Sequence, residues 1–475
     1  MIRTKLFSLI FVASSSLIAL GNASSAYAND HVLQTVTSES SVDEEWAIAL
    51  SGGGLRSSLF MIGALKALDE HDLVSSAPAI SSVSGGSYAN YWLYSHYASS
   101  NPGDKPFGYY SFSEDRFSGR VCDIATKGNF VTIPQIARNW LIRNSIGIYQ
   151  NAIVRTYGSG DPIENGLQLS SFAEASAAGE IPVPYINATI SQPREIQGND
   201  VILTFSPDGV SNANLGEGTW GEISENDFPM YRMIAISGAS VGALKQWMPN
   251  PFTQSTEDSL RVWDGGRSEN LGAFTLIAGG RPKVLIIDAE HDPNYTFGAY
   301  DILKSRLATA GIALSIDAIE EAKGERLETS FFVGQASGEV GTTEVVYIKM
   351  GLPGSLDGVF AEQAGPDSSG ANDQARFMEA LENSDRDSDR WDCGSLDYAP
   401  ANLSDWFAYN TASYAEYLNG SDGTAEMFNS TGFDFLRLDF PHYSTADQSF
   451  YVDQSLAYIG LGYLQMSEFL EQGGE

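Results

Sequence analysis

Three observations predict an α/β fold with a mostly parallel central sheet flanked by helices. Trp46–Leu50 is a short apolar strand, followed by Ser51-Gly52-Gly53-Gly54 and a helical pattern. Ala79–Val83 repeats the arrangement, with Ser84-Gly85-Gly86 leading into a second helical pattern. Val284–Asp288 is a near-continuous apolar run, as a strand buried on both faces requires. Strand, glycine turn and helix in succession form the βαβ signature of a parallel sheet covered by helices.

The elements follow in order. Leu59, Ile62, Leu65 and Leu68 recur at helical spacing and predict a helix over Ser58–Glu70. Ser87–Tyr97 is a second helix, crowded with Tyr88, Tyr91, Trp92, Tyr94 and Tyr97. Residues 99–131 are irregular, and Ile133–Tyr157 holds one or two helices. Pro184–Ile190 and Val201–Phe205 are strands, and the small residues of Ile234–Leu244 imply close backbone packing. Leu260–Trp263 is a strand ending at Asp264-Gly265-Gly266, and Asn270–Ala278 is a helix. Ile302–Ala322 is expected to be helical, Glu344–Met350 a strand and Ala446–Leu470 the closing helix. Residues 46–350 are expected to form the core, 351–438 a loop-rich acidic insertion or cap, and 439–475 a segment returning to the core.

The N-terminus carries an address. Arg3 and Lys5 precede an apolar run from Leu6 to Leu20, and Ala26-Tyr27-Ala28 supplies small residues for cleavage. That layout is a secretory signal peptide over 1–28, and the run is short of the roughly 20 residues of a spanning helix. Residues 29–45 form a loose polar segment. Export to a periplasmic or extracellular space is expected, where Cys122 and Cys393 could pair or remain two buried thiols.

Composition excludes several functions. Against 27 Lys+Arg stand 60 Asp+Glu, a net charge of −33, which excludes a polybasic nucleic-acid binder. It also argues against docking on anionic lipid through a basic patch. Two cysteines exclude a disulfide scaffold and a multi-cysteine metal centre. Asp385–Asp389 imitates the start of a calcium loop, but Arg390 and Leu396 occupy the positions of its glycine and glutamate. No metal or cofactor is expected.

The chemistry gathers at strand ends. Ser84 sits between a strand and a helix with Ser82 and Gly86 two residues to either side, a nucleophile-elbow context in which only small neighbours fit. An ordinary βα turn with a capping serine is the competing reading. Gly52, Gly53 and Gly54 free the backbone to turn its N–H groups to one point. No Lys-Ser/Thr follows, so a nucleotide P-loop is unsupported, and an oxyanion hole beside Ser84 is the better use. Asp264 ends a strand, where functional groups of open parallel sheets collect. It could accept the serine proton or simply fix a turn.

Together, the stretches Ile48–Arg56, Ile80–Ser87 and Trp263–Gly266 resemble the patatin-like phospholipases and the related catalytic domain of cytosolic A2-type phospholipases. Matching stretches recur at Pro184–Thr189, Glu269–Gly272, Ile287–Glu290 and Phe440–Thr445. The resemblance leaves 99–180 and 351–435 uncovered. It implies a three-layer α/β/α fold and a Ser–Asp dyad without histidine. Ser84 would be the nucleophile, Asp264 the base, and Gly52, Gly53 and Gly54 the oxyanion donors. Arg56 stands where the cytosolic relatives place a phosphate-contacting arginine, although it could equally be a salt-bridged helix-start residue. Gly85 joins it as a substrate-binding position.

The implied activity is hydrolysis of lipid carboxylic esters, with a phospholipid or lysophospholipid substrate and transient contact with a membrane or micelle. The acidic balance favours zwitterionic or neutral lipid. Two rivals stay open. One is a Ser-Asp-His triad using His291 or His442, since Ser84…Asp264…His satisfies the chain order of α/β-hydrolases. The other is a catalytically silent lipid-binding protein of the same fold.

Overall fold

The computed structural model describes residues 46–99, 124, 145–158, 166–192, 196–212, 215–220, 228–240, 244–252, 258–339, 341–383, 386–387, 390–391, 400–420, 440–443, 445 and 450–473. The expected signal peptide over 1–28, the segment 29–45, both cysteines and most of the calcium-like loop lie outside them. Among the described residues no helix is long and apolar enough to cross a membrane, and no acidic, histidine or cysteine cluster could hold a metal ion.

A twelve-stranded mixed sheet organises Ser40–Glu475, one compact unit. Its strands are β1 (Ala47–Leu50), β2 (Ala79–Val83), β3 (Val183–Gln192), β4 (Ile202–Ser206), β5 (Gly209–Asn212), β6 (Gly216–Thr219), β7 (Gln246–Pro249), β8 (Ser259–Asp264), β9 (Lys283–Asp288), β10 (Ala313–Ser315), β11 (Phe331–Gly338) and β12 (Gly341–Lys349). The centre, β12-β9-β1-β2-β3, is parallel throughout. Antiparallel strands extend it: β11 and β10 beyond β12, and β4, β5 and β6 beyond β3. The architecture is α/β, as expected, with the antiparallel strands at the sheet's periphery.

Alternation along the central strands makes the three layers. Ile48 and Leu50 of β1, Leu285 and Ile287 of β9, and Val346 and Ile348 of β12 enter one core. Ala47 and Ala49, Val284 and Ile286, and Val345 and Tyr347 enter the other. Both faces are buried, which explains the unbroken apolar run of β9. The first core is covered by α1 (Gly54–Asp69), α2 (Gly85–Ser99) and the C-terminal helix Val452–Gly473. The backbones of α1 and the C-terminal helix touch. A Cβ on Gly63 would lie 1.8 Å from the Ile459 carbonyl oxygen, and one on Gly462 would lie 2.0 Å from that of Phe60. Those two glycines set the depth at which the C-terminal helix seats against the site-bearing helix.

Three sequence expectations change. The helix over Ile302–Ala322 breaks into Gly298–Thr309, strand β10 and Asp317–Ala322, because Gly311 adopts φ 77° and ends the first piece. The expected helix Asn270–Ala278 shrinks to Phe274–Ala278. The buried Glu269 carboxylate accepts the N–H groups of Leu271 (2.5 Å) and Phe274 (3.3 Å), holding the preceding residues in a turn. The stretch 351–438, expected to be loop-rich, carries helices Asp357–Gln363, Ser369–Asn383 and Leu403–Gly420. Phe377 and Leu381 of the second pack with Trp406 and Phe407 of the third, an apolar seam diluted in sequence by the surrounding acids. Tyr88, Tyr91, Trp92 and Tyr94 of α2 are core residues, packed as a helix against the sheet requires.

Candidate active site

The site exists because two strands meet end to end. One edge of β3 is shared: β2 pairs with Val183–Asn187 and β8 with Ala188–Gln192. β2 runs parallel to β3 and β8 antiparallel, so their carboxyl ends converge. Val83 lies opposite Asn187 and Asp264 opposite the next residue, Ala188. Ser84, the residue after β2, therefore faces Asp264, the last residue of β8, across a gap of 180 residues in sequence. The Ser84 hydroxyl donates to Asp264 Oδ2 at 3.2 Å.

Each partner is held from behind. Ser84 has φ 50°, the uncommon left-handed conformation that a tight strand–helix elbow requires of its nucleophile. Its N–H donates to Ser237 Oγ at 2.9 Å, and the Ser237 hydroxyl donates to the Asn187 carbonyl at 2.6 Å. Asn187 closes the frame, its side-chain amide donating to Ser81 Oγ (2.8 Å) and the Ser82 carbonyl (3.1 Å). Asn187 is thus a buried brace, and its N-x-T sequon is incidental. Asp264 Oδ1 accepts the Gly266 N–H at 2.8 Å, and the Thr189 hydroxyl donates to the Asp264 carbonyl at 2.7 Å. Only one carboxylate oxygen, Oδ2, faces the serine.

Burial raises the Asp264 pKa to about 6, although Gly266 N–H, the Ser84 hydroxyl and Arg267 each pull it back. A carboxylate with that proton affinity, 5% exposed, is a better acceptor for a hydroxyl proton than a solvated aspartate.

The glycine loop lies against this pair. Gly53 (φ 149°) adopts a conformation that L side chains rarely enter, Gly54 (φ 67°) lies in the left-handed region that favours glycine, and Gly54 opens α1. A Cβ on Gly85 would lie 2.3 Å from the Gly54 carbonyl oxygen and 2.6 Å from its nitrogen, so the loop and the elbow are in backbone contact. The amides of Gly53 and Gly54 have no acceptor among the described residues. Two helix N-termini, those of α1 and α2, thus converge on the serine with free N–H groups and positive dipole ends. Gly85→Ala should force the loop and elbow apart. Urea unfolding should register a loss of about 1–3 kcal/mol, and turnover of an acyl ester should fall with it.

Two expectations change here. The Gly52 N–H is engaged by the Asn270 carbonyl at 2.8 Å, which removes it from the set of available donors. Gly52 instead acts as a spacer: a Cβ there would lie 2.2 Å from Asn270 Oδ1 and 3.2 Å from Ser84 Cβ. Arg56, expected at a substrate phosphate, is 1% exposed. Its guanidinium donates to the Ala289 carbonyl (3.0 Å from Nη2), the Tyr443 carbonyl and Thr445 Oγ1 (3.3 Å), clamping the start of α1 to the residues after β9 and to the C-terminal segment. Burial lowers its pKa, against attraction from Tyr458, Asp288 and Glu290.

Neither histidine of the triad alternative bonds to Ser84 or Asp264. His442 packs edge-on against Tyr295 and is buried near Lys349 and Arg56, where burial first and those cations second push its pKa well down.

Ser237, Asn187, Thr189 and Asn270 are the site residues that sequence reasoning did not assign. The small-residue stretch containing Ser237 was the available signal, since close packing of 234–244 implies backbone contact with something.

No family model and no curated protein sequence matches the chain. Solved structures do. Human GIVD cytosolic phospholipase A2 superposes with a TM-score of 0.56 at 12% identity, over 90% of this chain and 59% of that one. The same human protein with methyl gamma-linolenyl fluorophosphonate gives 0.49 at 11% identity, over 90% and 57%. VipD from Legionella pneumophila gives 0.23 at 14%, over 48% and 47%. The chain thus spans somewhat under two thirds of the human enzyme's length. With the parallel centre, the elbow at Ser84 and the first of these superpositions in place, the chain has the patatin-like α/β/α fold.

Proposed function

We propose that the chain is an exported serine lipid acyl hydrolase that cleaves carboxylic esters of phospholipid or lysophospholipid type through Ser84 and Asp264. The observation that carries the proposal is the 3.2 Å hydrogen bond from the Ser84 hydroxyl, at positive φ, to a buried carboxylate. Asp264 Oδ2 takes the hydroxyl proton as Ser84 Oγ attacks the ester carbonyl. The N–H groups of Gly53 and Gly54, with that of Gly85 at the start of α2, receive the developing oxyanion. Loss of one such donor costs about 3–4 kcal/mol of transition-state stabilisation. The tetrahedral intermediate expels the alcohol, protonated from Asp264, and leaves an acyl-Ser84 ester. Water, deprotonated by the same carboxylate, then releases the fatty acid.

A fluorophosphonate probe tests the nucleophile. Ser84 Oγ should bond to phosphorus with loss of fluoride, and peptide mass spectrometry should place the adduct on Ser84 alone. Ser84→Ala should take up no label. An unlabelled wild type, or a variant that labels as well as wild type, sinks the proposal and favours the silent lipid-binding alternative.

A further inference from the structure

One face of the β7–β8 hairpin has no part in the chemistry above. Met248, Leu260, Val262 and Asp264 point inward, while Trp247, Arg261 and Trp263 occupy the opposite face. Trp247 pairs with Arg261 across the two strands. Lys245, one residue before β7, falls opposite Trp263 by the same register. The Lys245 ammonium lies 3.1 Å from the centre of the Trp263 ring, and the Arg267 guanidinium lies 4.5 Å from it on the turn after β8. The Arg261 guanidinium lies 5.8 Å from the Trp247 ring, and Trp247 is 53% exposed.

Three cations therefore gather around two indoles on a chain of net charge −33. Among the described residues, none of the three forms an ion pair with a carboxylate. Burial, then Arg261 and Arg267, lower the Lys245 pKa. The patch is also well placed. β8 descends towards the carboxyl end of β2, and Arg261 precedes Asp264 by three residues, about 10 Å of strand. The hairpin thus stands on the same edge of the sheet as the serine.

Indole rings settle at boundaries between apolar and polar media, and neighbouring lysine or arginine is drawn to anionic lipid head groups. We infer that this face docks the protein on a bilayer containing anionic phospholipid, holding the dyad at the membrane surface. The inference deepens the lipid-hydrolase reading and takes its purpose from it. It departs from the expectation that the acidic balance favours zwitterionic or neutral lipid. At physiological ionic strength charges are screened beyond about 8 Å, so a bilayer meeting this hairpin is governed by the local cations rather than the remote acids. A nucleic acid tracking over a longer surface would meet those acids.

Binding can be measured without hydrolysis. Full-length Ser84→Ala protein should co-sediment with vesicles of equal phosphatidylcholine and phosphatidylglycerol, with a blue shift in tryptophan emission, and bind phosphatidylcholine vesicles much more weakly. Adding Lys245→Gln and Arg261→Gln should reduce partitioning to the mixed vesicles roughly 25-fold, about fivefold per charge. Trp247→Ala should weaken binding to both vesicle types. On the Ser84 background, all these surface variants should hydrolyse soluble p-nitrophenyl butyrate like wild type, which also shows that they fold. Equal binding to both vesicle types, or binding indifferent to the glutamine pair, overturns the docking surface even if the ester is cleaved. Vesicle binding by a protein that cleaves no ester leaves the docking surface standing and removes the hydrolase reading.

Discussion

Asp264→Asn should lose about two to four orders of magnitude in ester hydrolysis and, at neutral pH, become more stable than wild type. Both effects come from one feature. The carboxylate is buried at the end of β8 with its pKa raised from 3.8 to about 6. A positioned general base contributes about 10²–10⁴-fold, and an amide at the same place accepts no proton. The stability effect follows from linkage. The folded pKa lies above the unfolded one, so this group's contribution is complete below about pH 4. It is then lost as pH rises to about 6 and the buried group must ionise. Two pKa units correspond to about 3 kcal/mol. Asparagine is isosteric, can accept the Gly266 N–H and can donate to Ser84 Oγ, yet carries no charge to bury. Urea unfolding at pH 4 should find the two proteins alike, whereas at pH 7.5 the variant should be more stable by about 2–3 kcal/mol. Wild-type kcat/KM should rise with an apparent pKa near 6. A variant that retains a tenth of wild-type turnover, or gains no stability above pH 6, would remove Asp264 as the base.

The sequence exposes some of this machinery and hides the rest for a physical reason. Ser84 and the two glycines that follow it are legible because a strained elbow admits few residue types. The same holds for Gly53 and Gly54, whose positive φ is a local demand. Asp264 is legible as a strand end followed by two glycines. What brings Ser84 and Asp264 together is not local. It is the length of β3, whose ten residues serve β2 along one half and β8 along the other. Nothing in Val183–Gln192 announces two partners on one edge. The fate of the Gly52 amide is hidden for the same reason, since its acceptor lies 218 residues away at Asn270. The short strands β5, β6, β7 and β10 are three or four residues long, too short for alternation to register. Their pairing depends on neighbours already in place.

The largest loss of stability is expected at Lys349, a residue with no evident signal beyond a single cation at the end of an apolar strand. Its side chain is fully buried, with the ammonium 2.7 Å from Asp288, 3.0 Å from Asp292 and 3.4 Å from Glu290. Burial opposes that charge, but the three carboxylates outweigh it and raise the pKa. Burial and Asp288 push Glu290 up to about 7, so a proton taken up there near neutrality balances two acids against Lys349 and the nearby Arg56. Lys349→Met fills the space and removes the counter-charge, stranding the acids. Breaking a buried pair in this way costs about 3–5 kcal/mol. The loss should shrink as pH falls, because orphaned carboxylates have folded pKa values above their unfolded ones and regain stability on protonation. Activity should fall as well. Ala289, within the acid-bearing turn, donates its N–H to Ser51 Oγ (2.7 Å), and its carbonyl accepts from Arg56, on either side of the triglycine. A turn loosened by the substitution lets those amides drift from the serine. The expected signature is a drop in kcat with little change in KM, alongside urea unfolding that is several kcal/mol weaker at pH 7.5 than at pH 5 relative to wild type. A Lys349→Met protein that matches wild type in both measurements would show that the ion cluster neither stabilises the fold nor holds the glycine loop in place.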